Sequence, residues 1–486
     1  MTTDTNNNHH ILPDDLFPYQ KEDVDRLLST KEGFLNFSEM GTGKTPVALG
    51  LTKLGGYKKT LIVCPKTLRW EWARQIEDWM DLEPTVSRKG CMSRLDELAD
   101  QYTGDAPDNP FFIVNYETFR NEMHRTLLKL IDFDLAILDE AHKLRNGDTK
   151  MFKGVKEFFD IHTDTRVLAM TGSPIVNRPD DLYSLLELAR PNQFPHEMRL
   201  PFMDEFCYVY RRQGRKPKVL AVKNPARLQG VIKSFSIQRM KKEVLKFLPD
   251  KYYRVVQLEM EPKQREVYDK AKKELLIELD NGESLKSASI LALLIRLRQL
   301  NLEPRILGLS DVPSVKTDFL NELIDELGDQ KLVIFSTFES YIRTLERDFY
   351  HQGLLPGRDL ITITGTTPSE DRAQLVKIFQ ENDNCKFALG TMQTMGEGLT
   401  LTTASNVILM DRWWAPTVND QAVDRLHRIG QKNPVQVILP VIKNTIDSSL
   451  DAILKKKYSF IQDALGQPFP YEVMESVIGD LKDGLA

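Results

Sequence analysis

Two strings in this 486-residue chain carry residue types and spacings suited to phosphate chemistry. The first is Ser38-Glu39-Met40-Gly41-Thr42-Gly43-Lys44-Thr45. Glycines let backbone N–H groups turn inward around a phosphate oxygen. Lys44 supplies a point charge to β- and γ-phosphates, and the Thr45 hydroxyl is a ligand for Mg²⁺. Met40, Gly41, Thr42 and Gly43 form the cradle between them. The pattern G-x-x-x-x-G-K-[ST] asks for Gly at position 38, where this chain has Ser. The second string is Asp139-Glu140-Ala141-His142, which closes the apolar run Leu135-Ala136-Ile137-Leu138. At the carboxyl end of a strand, Asp139 reaches a Mg²⁺ shell, and Glu140 orients and deprotonates an attacking water. Asp-Glu alone also reads as an acidic strand end before a turn. Following a Gly-Lys-Thr loop with strands between, it points to nucleotide hydrolysis.

The elements that must hold these strings are legible around them. Gly33 to Phe37 is a short apolar run and predicts a buried strand before the loop. Pro46 suits the first turn of a helix after it. Further strands are predicted at Thr60–Pro65, Phe111–Asn115 and Arg166–Met170, the last running into Thr171-Gly172-Ser173-Pro174. Those small hydroxyl residues can sense a nucleotide through His142. Asp14 to Leu28 reads as an amphipathic helix. Its Gln20 reads either an adenine edge or solvent. Trp70, Trp72 and Trp79 read as packing residues of a helix rather than as base stackers. Alternation of strand and helix gives a parallel sheet with ligand loops at the strands' carboxyl ends.

Composition sets outer bounds. Hydrophobic residues make up 41% and charged residues 28%, which is globular, and the net charge of −5 means any basic surface is local. Four scattered cysteines offer no C-x-x-C pair, against a zinc module or a disulfide framework. Met1 to His10 lacks the apolar core of a signal peptide, and no apolar run is long enough to span a membrane. The expectation is a cytoplasmic chain, in a bacterial host cell or a prokaryotic cytosol, with a nuclear location also open, monomeric and without a membrane partner.

Beyond the two strings, Pro18-Tyr19-Gln20, Thr171 to Pro174, Gln238-Arg239-Met240-Lys241-Lys242-Glu243-Val244, Leu248-Pro249-Asp250-Lys251, Lys331 to Ser336, Gly396 to Thr402, Trp414-Ala415-Pro416 and Gln421 to Gln431 follow in order. In that series the chain resembles the Swi/Snf-type ATPases, the double-stranded-DNA translocases of helicase superfamily two. The string Gln421-Ala422-Val423-Asp424-Arg425-Leu426-His427-Arg428-Ile429-Gly430-Gln431 is its most specific part. Ser38, Thr42, Met395 and Thr400 depart from the usual family residues, and no histone-reading module accompanies the motor. A minimal viral or bacterial form is implied.

The resemblance implies an α/β fold of two RecA-like parallel-sheet lobes in tandem with helical protrusions between them. The expected division is a tail over 1–12, a first lobe over 13–180, protrusions and linker over 181–310, a second lobe over 311–450 and a helical brace over 451–486. Second-lobe strands are predicted near 331–336, 359–364, 385–390, 406–410 and 435–440. ATP and Mg²⁺ are the implied cofactors and DNA, as duplex, the implied partner. Gln421, Arg425 and Arg428 are expected to complete the catalytic set, the two arginines on one helix face as fingers for the γ-phosphoryl group. The acid-free run from Arg211 to Arg227, above all Arg211, Arg212, Arg215 and Lys216, reads as a phosphate-contacting track or as a solvated loop. The activity implied is movement along duplex DNA. A strand-separating or strand-annealing helicase and an ATP-gated clamp are the alternatives.

Overall fold

A computed structural model describes residues 12–87, 110–172, 179–210, 218–280, 287–395, 399–414 and 416–450. The chain divides into two units, with the boundary between Lys246 and Phe247.

The first unit is built on a parallel sheet. Its strands are β1 (Phe34–Asn36), β2 (Thr60–Cys64), β3 (Thr85–Val86), β4 (Phe111–Asn115), β5 (Leu135–Asp139) and β6 (Arg166–Met170). After them come an antiparallel hairpin of β7 (Cys207–Tyr210) and β8 (Lys218–Val222), and then β9 (Ser236–Ile237). The sheet order is β3-β4-β2-β5-β6-β1-β9. Every residue of β1, β2 and β6 is buried. Near-continuous apolar runs are what a parallel sheet covered on both faces requires. Helices supply that cover, among them Lys44–Leu54, Arg69–Met80 and Lys150–Ile161. Gly33 marks a tight approach ahead of β1: a Cβ there would lie 2.0 Å from the Ala189 carbonyl oxygen.

The second unit has its own parallel sheet: β10 (Lys251–Leu258), β11 (Leu332–Ser336), β12 (Leu360–Ile363), β13 (Phe387–Thr391), β14 (Asn406–Leu409) and β15 (Val435–Ile442). Its order is β10-β15-β14-β11-β13-β12. β11 to β15 fall where the sequence predicts them. β10 pairs with β15 along its whole length.

The stretch 181–310, expected to be helical, is only partly so. The helices Pro179–Ala189, Pro262–Asp280 and Ser287–Leu302 fit that expectation. The strands β7 to β10 do not, and two of them belong to the lobes' own sheets. The reason is pairing: β9 extends the ladder beside β1, and the β-branched and aromatic run of β10 adds to an edge strand. The terminal segments 1–11 and 451–486, and with them the expected tail and brace, lie outside the described residues. Among the described residues no helix is long and apolar enough to cross a membrane. Among the described residues, Cys64, Cys207 and Cys385 are buried and form no disulfide.

Candidate active site

The turn between β1 and the helix Lys44–Leu54 has the geometry of a phosphate cradle. Gly41 and Gly43 have φ of 80° and 81°, in the left-handed region that a Cβ disfavours. Gly43 is the helix N-cap, so the first N–H groups of the helix face the turn. The Lys44 ammonium donates to the carbonyls of Ser38 at 3.0 Å and Glu39 at 3.2 Å. A bound phosphate would replace those carbonyls as its partner. Ser38, at the position where the general pattern has Gly, is buried.

Gln20 is not the surface residue of the bland reading, since it is 1% exposed. Its amide nitrogen donates to the Thr42 carbonyl at 3.2 Å, and its amide oxygen accepts from the Phe17 N–H at 2.9 Å. Tyr19 donates its hydroxyl to the same Thr42 carbonyl at 2.7 Å. Burial and the nearby Asp23 carboxylate push the Tyr19 phenol up to about 12. Residues 19 and 20 thus brace the loop from below.

Asp139 and Glu140 stand at the carboxyl end of β5, beside β6 and β2. The Asp139 carboxylate accepts from the Trp72 indole N–H at 2.8 Å and from the Glu140 N–H at 2.9 Å. Desolvation and the adjacent Glu140 charge push Asp139 up to about 6, while Trp72 and Lys44 pull it down. Tyr116 donates to the Asp139 carbonyl at 2.7 Å and fixes the strand's end. Glu140 has φ of 50°, a left-handed conformation that costs a non-glycine residue energy and is common at functional turns. It is 8% exposed. Its carboxylate lies 3.1 Å from His142 Nδ1, which is 3.3 Å from the Thr171 hydroxyl. The one nitrogen Nδ1 of His142 therefore lies between the Glu140 carboxylate at the end of β5 and the Thr171 hydroxyl after β6. Thr171 follows β6 as the sequence predicts; Ser173 and Pro174 lie outside the described residues.

Oxygen donors of this kind, the Thr45 hydroxyl and the Asp139 carboxylate, fit Mg²⁺, which keeps much of its shell as water and substrate phosphate. Crowding of two carboxylates at one desolvated strand end favours a cation there.

Sequence reasoning missed two supports. Trp72 packs in the core as expected, yet its indole N–H is the donor that favours ionised Asp139. The Gln238–Val244 string clasps the phosphate loop: Glu39 N–H donates to the Arg239 carbonyl at 3.0 Å, and the Glu39 carboxylate accepts from the Lys241 N–H at 2.5 Å. The Arg239 guanidinium pairs with buried Asp23 at 2.6 Å and with Glu22 at 3.1 Å.

In the second unit, Gln421 lies on the helix Pro416–Val423, half-buried. That helix ends before both arginines, so the expected common helix face does not exist. Arg425 N–H bonds the Ala422 carbonyl at 3.2 Å and Leu426 N–H the Val423 carbonyl at 3.0 Å, which are turns. Buried Gln431 ties the turn segment down, its amide donating to the Ala404 carbonyl at 2.8 Å and to the Leu426 carbonyl at 3.2 Å, and Gly430 bends the chain at φ 100°. The turns nonetheless direct both arginines to one segment. The Arg425 carbonyl accepts from Leu401 N–H at 2.9 Å, and the Arg428 guanidinium donates to the Leu399 carbonyl at 3.4 Å. His427 lies 2.8 Å from the Pro249 carbonyl. Half-buried Lys251 is raised by Asp424 3.5 Å away, against the desolvation that would lower it.

Arg211, Arg212, Arg215 and Lys216 lie outside the described residues, as do 396–398 and Ala415. Near the basic run, Arg227 pairs with Glu205 at 2.7 Å and Lys223 donates to the Asp204 carbonyl at 3.2 Å.

Comparison with known proteins gives the following likenesses. Residues 19–306 match the family model described as SNF2-related domain, and residues 315–430 that described as helicase conserved C-terminal domain. An uncharacterised ATP-dependent helicase of Mycoplasma pneumoniae is 27% identical over 92% of this chain and 42% of its own length. The Caenorhabditis elegans homologue of SWI/SNF-related matrix-associated actin-dependent regulator of chromatin subfamily A-like protein 1 is 27% identical over 93% of this chain and 61% of its own. The mouse DNA annealing helicase and endonuclease ZRANB3 is 25% identical over 94% and 42%. The chain spans about half the length of these relatives. The solved Sulfolobus solfataricus SWI2/SNF2 ATPase core in complex with dsDNA aligns over 97% of this chain and 95% of its own, at 24% identity and a TM-score of 0.41.

Proposed function

The chain belongs to the SNF2-related domain family, and from that premise we propose that it is an ATP-dependent DNA translocase. It couples ATP hydrolysis to movement along duplex DNA and remodels DNA or protein–DNA complexes. The observation that carries this reading is the intact hydrolytic set of the first unit. Lys44 stands in the loop, Asp139 and Glu140 close β5, and His142 lies between Glu140 and Thr171. A clamp that merely held nucleotide would have no use for a strained, buried Glu140.

Met40 to Thr45 bind the phosphates of ATP, with buried Gln20 bracing the loop beneath them. Thr45 and Asp139 would hold Mg²⁺, which would supply charge neutralisation to the phosphates. Lys44 leaves its loop carbonyls for the γ-phosphate. Glu140 orients and deprotonates the attacking water. Arg425 and Arg428, with Gln421 beside them, oppose charge developing on the γ-phosphoryl group. Such fingers are worth about 10³–10⁵ in rate in other phosphoryl-transfer systems. Arg211, Arg212, Arg215 and Lys216 contact phosphates, so that tracking follows the backbone and reads little sequence. The protein works as a monomer.

The mouse relative's name carries a second reading, strand annealing. One experiment separates the readings: ATP turnover measured with duplex, single-stranded and forked DNA. Duplex stimulating at least as well as single strands supports translocation. Stimulation by forks alone supports the annealing or separating helicase, and ATP binding without turnover supports the clamp.

A further inference from the structure

The second unit buries an arginine that none of the functional strings contains. Arg298, on the helix Ser287–Leu302, is 4% exposed. Its Nη2 lies 2.8 Å from the Asp411 carboxylate, 2.8 Å from the Arg412 carbonyl and 3.1 Å from the Thr337 hydroxyl. Its guanidinium carbon sits 5.2 Å from the Phe338 ring centre and 5.0 Å from that of Trp414. The other Asp411 oxygen accepts from the Ser336 hydroxyl at 2.6 Å and the Thr337 N–H at 2.9 Å. Arg298 therefore knits the carboxyl ends of neighbouring strands β11 and β14, the edge at which parallel sheets hold their ligands.

From there hydrogen bonds lead to the helix Pro416–Val423. Asn419 accepts from the Trp413 N–H at 2.8 Å and donates to the Trp413 carbonyl at 3.0 Å. Asn419 stands on the same helix as Gln421, directly ahead of the turns that carry Arg425 and Arg428. Trp414 packs with Tyr268, Leu294 and Leu297, on the paired helices Pro262–Asp280 and Ser287–Leu302. A buried ion pair is weak evidence for stability, because apolar residues of similar volume serve as well or better. All three hydrogen bonds come from Nη2, so what lysine cannot reproduce is the planar group lying over both the Phe338 and the Trp414 rings.

We propose that Arg298 is a positioning residue for the arginine-bearing segment. It fixes Asp411 to Trp414 and, through Asn419, the helix and turns that present Gln421, Arg425 and Arg428. The proposal rests on the reading above, in which those arginines act on the nucleotide. It adds that the paired helices and the arginine segment move as one piece.

The test uses the full chain with Arg298→Lys, Arg298→Met and Arg298→Met/Asp411→Asn, measuring thermal unfolding, KM for ATP, and kcat with saturating duplex. Arg298→Met strands a buried carboxylate and melts early; the double variant removes that charge and regains its melting temperature. The expected signature in the double variant and in Arg298→Lys is a kcat lower by about tenfold or more, with KM for ATP within about threefold. A double variant that recovers melting temperature and kcat together overturns the proposal, leaving a structural ion pair. If the double variant does not regain its melting temperature, wild-type kcat in Arg298→Lys overturns it. Wild-type protein lacking duplex-stimulated turnover would instead refute the functional reading beneath it.

Discussion

Trp72→Phe isolates one hydrogen bond to the carboxylate assigned to Mg²⁺. The indole N–H donates to Asp139 at 2.8 Å, and phenylalanine keeps most of the ring packing while removing the donor. A hydrogen bond to a charged group contributes about 1.5–3 kcal/mol. One pKa unit corresponds to about 1.36 kcal/mol. Desolvation and Glu140 already push Asp139 up to about 6. Because Trp72 favours the ionised form, its loss moves Asp139 upward, by about one to two units on those figures. In nucleotide-free protein near neutral pH, more of Asp139 would then be protonated. Only the ionised carboxylate holds the metal, so kcat/KM for Mg·ATP at pH 7 should drop about two- to tenfold. The acid limb of the pH profile moves to higher pH, and the deficit closes by about pH 9, where Asp139 is ionised in both proteins. Steady-state turnover from pH 5.5 to about 9.5, at saturating duplex and fixed free Mg²⁺, reads this directly. An equal deficit at pH 7 and pH 9 would mean that Trp72 matters only as packing. No deficit at either pH would refute the role given to its N–H.

Lys44→Ala should abolish ATP turnover, and Glu140→Gln should bind ATP in a fluorescent-nucleotide assay without hydrolysing it; wild-type rates in the latter would remove Glu140 from the chemistry. Arg428→Ala should leave ATP affinity within a few-fold and lower duplex-stimulated turnover by about 10³ or more, as loss of a finger does elsewhere. Changing Arg211, Arg212 and Arg215 together to Ala should weaken binding to unrelated DNA sequences alike and reduce the log–log salt slope by up to about three, measured by anisotropy between low and moderate salt. Gly33→Ala should destabilise the first unit by about 1–3 kcal/mol, because the added methyl meets the Ala189 carbonyl oxygen at 2.0 Å; a melting temperature equal to wild type would mean the backbone gives way freely there.

What the sequence disclosed depended on how local its causes were. The strand–loop–helix around Lys44 and the strand ending in Asp139 were legible because apolar runs, glycines and charges all occur within a few residues of each other. The Trp72–Asp139 bond was not, since its partners are 67 residues apart; an indole in the helix after β2 was the available signal, and it read equally well as packing. Arg425 and Arg428 show the opposite failure. Their three-residue spacing suits a helix, yet the helix that carries Gln421 ends at Val423 and the chain continues in turns to Gly430, whose φ is 100°. β9 is too short to register as a pattern at all. β10 could have been found, because Lys-Tyr-Tyr-Arg-Val-Val-Gln-Leu carries the β-branched and aromatic bias of a strand.

The string from Gln238 to Lys251 contributes no group to the chemistry, yet its backbone explains why so specific a sequence sits there. It crosses the boundary between the units, at Lys246 and Phe247. Its first half is bound to the phosphate loop: Phe37 N–H to the Ile237 carbonyl at 2.8 Å just ahead of it, then Glu39 to Arg239 and Lys241. Its second half is bound to the arginine segment of the other unit: Pro249 to His427, Asp250 to the Val435 N–H at 2.9 Å, Lys251 to Asp424. Backbone donors and acceptors fix these contacts, so they constrain position along the chain more than side-chain identity. Arg239 adds charge where the buried Asp23 carboxylate needs a partner, and Lys251 does so beside half-buried Asp424. An insertion between Lys241 and Pro249 should therefore leave the contacts on either side of it intact, which separate thermal unfolding of the two units would check.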